Sequence, residues 1–259
     1  MSSAKPPPGV TVFPDRRRLA DGLAAYLVHL AIKAAARDGR FYIALSGGSL
    51  LETIGPPLSA PPIRDAVDWS AWHVFWVDER RVPFDSPDSN HGAASRWFFN
   101  RVPIPKGRIF AMDPDLDPDE AARVYADRMA AAFEMHSGRL PRFDLILLGV
   151  GEDGHTASLF PGHPVLAETR RWVAAVYDAP KPPPTRLTMT LPIINNARHV
   201  AFMAAGSRKA STIASVFGHP GATPAVPATM VRPGNGTLRW FLDETAASQV
   251  AMRLANSDA

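Results

Sequence analysis

Short apolar runs separated by segments of helical periodicity recur along this 259-residue chain, and few folds can bury such runs. Phe41 to Leu45 is too short for a helix and runs straight into glycines, so it reads as a strand covered on both faces. Similar runs occupy 72–77, 108–111, 143–148, 172–177, 187–191 and 200–204. Between and after them, helices are expected over 16–38, from about Ser49, and over 90–100, 118–136, 207–217 and 244–254. The first is signalled by Leu19, Leu23, Tyr26, Leu27 and Leu30 at helical spacing, with Asp15 as N-cap and Gly39 as stop. The helix over 118–136 has Asp117 as N-cap, Pro118 at its first position and Glu120 three residues after the cap. Strands alternating with helices predict an α/β fold around a largely parallel sheet. The 26 prolines gather at 6–8, 56–57, 61–62 and 182–184, which read as connectors because proline continues neither a helix nor a central strand. A flexible segment over 1–9 and a single α/β domain over 10–259 are expected, with no convincing linker between.

Composition narrows the chemistry. The chain has no cysteine, so disulfide scaffolds, cysteine-bound metal centres and thiol nucleophiles are excluded, and a cytoplasmic location is expected. Lys and Arg exceed Asp and Glu by 28 to 25, and no basic run is longer than Arg16-Arg17-Arg18, which is thin support for nucleic-acid binding. No apolar run is long enough to suggest a membrane span. No HExxH or comparable pattern is present, so neither a metal nor a cofactor is expected. A monomer is the simplest expectation, since no heptad seam is visible.

In open parallel sheets ligands collect beyond the carboxyl ends of the strands, and four such exits carry chemistry. Ser46-Gly47-Gly48-Ser49 lies between a strand and a helix, where glycines admit an anion to backbone N–H groups at a helix N-terminus; a plain tight turn is the alternative. Asp78-Glu79-Arg80-Arg81 follows the run at 72–77 and offers a carboxylate beside a guanidinium, or simply an exposed mixed-charge loop. Gly149-Val150-Gly151-Glu152-Asp153-Gly154-His155 follows the run at 143–148, and His155 is placed where an imidazole could take a proton from water or open a sugar ring. Gly206-Ser207-Arg208-Lys209 follows the run at 200–204, where cations in a first helical turn are easier to explain if an anion also binds. His29, His73, His136 and His199 read as structural or exposed, and Trp69, Trp72, Trp76 and Trp97 as core packing.

These strings, together with Ser89-Asn90 and Asp153 to Pro161, resemble the lactonases of the glucosamine-6-phosphate isomerase/6-phosphogluconolactonase family, in the family's order from about residue 10 to 250. The resemblance implies a modified Rossmann-like, largely parallel sheet flanked by helices, as in glucosamine-6-phosphate deaminase. It also implies hydrolysis of a sugar-phosphate lactone, 6-phospho-D-glucono-1,5-lactone, to 6-phosphogluconate. His155 would be the general base. Asp78 or Asp153 would orient it or hold sugar hydroxyls, and Arg80 would serve the oxyanion or the phosphate. Gly47, Gly48, Ser49, Lys209 and Arg208 would bind the phosphate. The deaminases carry a glutamate five residues after the histidine, where this chain has Phe160, and the family often has Thr-Pro where this chain has Leu50-Leu51. The first departure weakens an isomerase or deaminase reading. A sugar-phosphate sensor without catalysis is the remaining alternative.

Overall fold

The computed structural model describes residues 7–135, 139–218 and 226–250. Strand β1 (Val10–Phe13) leads into α1 (Arg16–Asp38), then β2 (Phe41–Leu45), α2 (Ser49–Ser59), α3 (Ile63–Ala66), β3 (Trp72–Trp76), β4 (Asp78–Arg80) and α4 (Asn90–Trp97). Next come α5 (Pro118–Ala132), β5 (Leu145–Gly149), β6 (Val173–Val176), β7 (Arg186–Met189) and α6 (Leu191–Asn195). The chain continues through β8 (His199–Ala204), α7 (Ala210–Val216), β9 (Thr237–Asp243) and α8 (Glu244–Ala247).

A six-stranded sheet in the order β1-β9-β8-β5-β2-β3 has parallel pairing throughout, and β4, β7 and β6 form a separate antiparallel sheet. From β2 the chain moves outward to β3, whereas β5, β8 and β9 are added on the other side. The order therefore reverses between β2 and β5, and the crevice beyond their carboxyl ends is where such a sheet binds ligands. The strands named by their apolar runs are buried: Ile43, Val74, Leu145, Ile146, Leu147 and Val200 have no accessible surface. Helix α1 has the length and composition of a membrane-spanning helix, yet Leu19, Leu23 and Leu27 on one face are fully buried in the core.

The first helix matches its expected bounds because both ends are chemically marked. Asp15 accepts from the Arg18 N–H at 2.8 Å, and Gly39 closes the helix at φ 70° while its N–H donates to Ala35. Other elements depart from the sequence reading. Pro56 and Pro57 sit inside α2 instead of linking elements, and Ser59 Oγ donates to the Gly55 carbonyl at 2.7 Å near the helix end. The run at 108–111 contributes only a single bridge, Val74 to Ile109, and its first residue is taken up in the helical turn Lys106–Arg108. The runs at 172–177 and 187–191 pair with each other antiparallel, outside the parallel sheet, and the second ends at Met189 because Pro192 opens α6. Trp69, Trp72 and Trp76 are buried as expected, whereas Trp97 is 36% exposed. The N-terminal segment expected to be flexible falls largely on residues 1–6, outside the described residues; at its end the Gly9 carbonyl accepts from Trp240. The ends of two expected helices, at 136 and 251–254, also lie outside the described residues.

Where β3 leaves the large sheet, the fully buried Tyr125 hydroxyl accepts from the Trp76 N–H at 2.7 Å and lies 3.3 Å from the Trp76 carbonyl. Tyr125→Phe leaves that buried N–H without a partner, so a stability loss of about 1–3 kcal/mol is expected in urea denaturation. An unchanged midpoint would show that this hydroxyl does not hold the end of β3.

Candidate functional site

The carboxyl ends of β2, β5 and β8 converge on a cavity of about 350 Å³. Its walls include Ser46, Gly47, Gly48 and Ser49 from the β2 exit, Asp78 and Arg80 from β4, Gly151 and His155 from the β5 exit, and Lys209 beyond β8. Residues far apart in sequence are thus brought together by the strand order of the large sheet and by β4, which leaves it. Asp153 is held behind His155, its Oδ1 2.5 Å from the imidazole Nδ1. Arg208 is not among the lining residues: its side chain is 88% exposed and pairs with Glu152 at 3.6 Å. The helical turn Ser207–Lys209 sends adjacent side chains in different directions, which separates Arg208 from Lys209.

The turn carrying His155 is built by close backbone approach. Gly151 N donates to the His155 carbonyl at 2.8 Å, and a Cβ on Gly151 would stand 2.0 Å from His155 Nδ1 and 2.4 Å from Asp153 Oδ1. Only glycine fits there. Thr156 Oγ1 donates to the Gly149 carbonyl at 2.9 Å, and Ala157, which lines the cavity, has φ 50°, a conformation that costs a non-glycine residue about 1 kcal/mol or more. Phe160 is buried, with its ring centroid 4.8 Å from that of His155.

Burial pushes the His155 imidazole below its ordinary pKa of 6.5, with Lys181 adding to the effect, while Asp153 and Asp78 oppose it. Burial also resists ionisation of Asp153, but the hydrogen bonds and charges of His155 and Lys181 outweigh it and hold the carboxyl at about 2. An ionised Asp153 beside a neutral imidazole fixes the proton on Nδ1 and leaves the Nε2 lone pair available as a base. Lys181 Nζ lies 3.2 Å from Asp153 Oδ1 and lines the same cavity.

The remaining walls supply donors. Gly48 is the cap residue of α2 at φ 68° and no side chain caps the helix, so N–H groups of its first turn stay available to an anion. Lys209 is half-buried; burial lowers its pKa, Glu152 opposes this and Lys181 reinforces it. Arg80 donates through Nη1 to the Asp88 carbonyl at 2.9 Å, and its buried Nε has no hydrogen-bond partner among the described residues. Asp78 is buried and accepts from Ser158 Oγ at 2.9 Å, so it ties β4 to the His155 turn and does not touch the imidazole through a hydrogen bond. Glu79 points away into the protein and accepts from the N–H groups of Arg80, Asn90 and His91, each at 2.8 Å. Among the described residues no group of three His, Asp or Glu side chains could hold a metal ion.

Sequence reasoning missed Lys181, and it quoted Ser158 and Asn90 only within motifs, without a role in this constellation. Lys181 was hidden in a proline-rich stretch read as a connector. Asn90 stands so close to Gly47 that a Cβ on that glycine would be 1.7 Å from Asn90 Oδ1, and its Nδ2 donates to the Asp78 carbonyl at 2.8 Å.

The family model of glucosamine-6-phosphate isomerases/6-phosphogluconolactonase matches residues 14–240. The chain belongs to that family. It is 42% identical over 248 residues to the human 6-phosphogluconolactonase, covering 94% of this chain and 95% of the relative. A probable chloroplastic 6-phosphogluconolactonase of Oryza sativa subsp. indica is 42% identical over 249 residues, covering 93% of this chain and 76% of the relative. The solved structure of 6-phosphogluconolactonase from Trypanosoma brucei superposes with a TM-score of 0.83 at 27% identity, covering 96% of this chain and 100% of that one. A monomeric glucosamine-6-phosphate deaminase shares the fold with a TM-score of 0.75 at 18% identity, over 92% of this chain and 98% of that one.

Asp153→Asn removes the carboxylate that opposes the burial effect on His155, so the imidazole pKa is expected to fall further in an NMR titration. A pKa that stays put or rises would show that Asp153 does not set the protonation of His155.

Proposed function

We propose that the chain is a lactone-hydrolysing enzyme acting on 6-phospho-D-glucono-1,5-lactone. The observation that carries this reading is the His155–Asp153 pair opening on the same cavity as the uncapped N-terminus of α2 and Lys209. One end of that set suits a base-activated water and the other a phosphate. His155 Nε2 takes a proton from water as the water oxygen attacks the lactone carbonyl, giving a tetrahedral oxyanion. Collapse breaks the bond to the ring oxygen, which takes the proton back from His155, and the open-chain carboxylic acid so formed releases water's second proton to solvent, leaving a carboxylate. Arg80, whose side chain lines the cavity, is the guanidinium available to the oxyanion or to the substrate phosphate. Lys209 and the N–H groups after Gly48 bind the phosphate and so position the carbonyl remote from it.

Phe160 weighs against isomerisation or deamination. It occupies the position where the deaminases carry a glutamate, and its ring packs on the imidazole, so the carboxylate hydrogen-bonded to His155 is Asp153 alone among the described residues.

Hydrolysis of freshly generated lactone, followed against its uncatalysed rate, tests the proposal. His155→Ala is expected to lower kcat by about 10²–10⁴-fold, the range for a positioned base. A folded variant as fast as wild type would remove His155 from the chemistry. Lys209→Ala is expected mainly to raise KM, and an unchanged KM would place the phosphate elsewhere. Because the active imidazole is neutral and its pKa is lowered from 6.5, the acid limb of kcat/KM should be centred below pH 6.5. An acid limb centred above 6.5 would contradict this.

A further inference from the structure

At the opposite end of the large sheet, the amino ends of β2, β5 and β8 border a second cavity, of about 500 Å³. Its walls include Arg37, Arg139, Arg142 and Arg198, against two carboxylates, Asp38 and Asp144. Asp144 is buried and already well served: Arg37 donates to its Oδ1 at 2.7 Å, the Tyr42 N–H donates to its Oδ2 at 2.9 Å, and Arg198 Nε lies 3.4 Å from Oδ1. Asp38 is engaged by Arg37 at 2.5 Å. Neither Arg139 nor Arg142 has an ion-pair partner among the described residues, and the bond found for Arg142 is Nη2 to the Asn235 carbonyl at 2.5 Å. Arg198 Nε is buried and makes no hydrogen bond of good geometry. Burial, and then the like charges of Arg37 and Arg142, depress the Arg198 pKa.

Clustered guanidiniums cost free energy through mutual repulsion unless an anion joins them, and planar forks suit phosphate or carboxylate oxygens. One buried carboxylate needs a cation or two beside it; it does not account for Arg139 and Arg142. Strands of five or six residues put this cavity roughly 17–20 Å from the carboxyl-end cavity, so one small molecule cannot span both. We propose that this amino-end cavity is a separate binding site for a small polyanion carrying at least two phosphate or carboxylate charges, held by Arg142, Arg139 and Arg198.

Inorganic pyrophosphate is a suitable probe, used on the full chain. Because it can also occupy the carboxyl-end cavity, the measurement is made in Lys209→Ala, which weakens that site. Thermal unfolding is expected to shift upward by roughly 3 °C at ten times the dissociation constant. Adding Arg139→Ala and Arg142→Ala should abolish the shift. Neither side chain has a hydrogen bond or ion pair with Asp144 among the described residues, so the doubly substituted chain with native Lys209 should fold and keep wild-type lactone hydrolysis. Absence of a shift in Lys209→Ala at 10 mM pyrophosphate, or a shift that survives loss of both arginines, would overturn the proposal.

Discussion

Val77 is where two sheets become one structure. Its N–H donates to the Leu45 carbonyl at the end of β2, and its own carbonyl accepts from Met189 at the end of β7, at 2.9 and 2.6 Å. The first bond continues the parallel sheet past β3; the second hands the chain to the antiparallel sheet. Both backbone groups of a fully buried residue must be paired, which fixes where β4 begins. Asp78 and Arg80 then stand at the mouth of the crevice between β2 and β5. The Ser158 hydroxyl on Asp78 locks the His155 turn to the same strand.

From that junction the chemistry follows by electrostatics. A cavity that admits several cations would ordinarily keep an imidazole neutral, and burial under Phe160 pushes the same way. A neutral imidazole is ambiguous in tautomer until something holds one of its protons. Asp153 resolves the ambiguity, and His155 and then Lys181 favour its ionised form. The glycine at 151 exists in this geometry because no side chain can stand between Asp153 and His155. In the proposed reading binding and reactivity are therefore separated: cations and helix N–H groups would receive charge on one wall, while a carboxylate-backed base would face it from the turn after β5.

How much of this could be read from residues alone depended on local marking. The ends of α1 were legible because Asp15 and Gly39 carry cap chemistry, and β2 because a buried parallel strand is apolar on both faces. Strand β9 was not found: Thr237 to Arg239 is partly or fully exposed and only Trp240 onward is buried, so no continuous apolar run announces it. The antiparallel pairing of β6 with β7 is a tertiary choice made by the short proline-rich connection, and neither strand's composition states it. Among site residues, those at strand exits stood out because the parallel sheet gives such positions a meaning. Lys181 did not, since its role comes from where a loop between β6 and β7 folds back, not from its neighbours in sequence. Arg208 and Lys209 looked equivalent in sequence, and only the path of a single helical turn separates them.

The tautomer of His155 tests this view most directly. Nitrogen-15 chemical shifts of the labelled imidazole, recorded at pH 7.5 in the unliganded protein, report which ring nitrogen carries the proton. A neutral ring protonated at Nδ1 and bare at Nε2 is the expected result, since Asp153 receives the Nδ1 proton. A proton found on Nε2, or on both nitrogens, would contradict a base poised by Asp153 and would require another group to activate water.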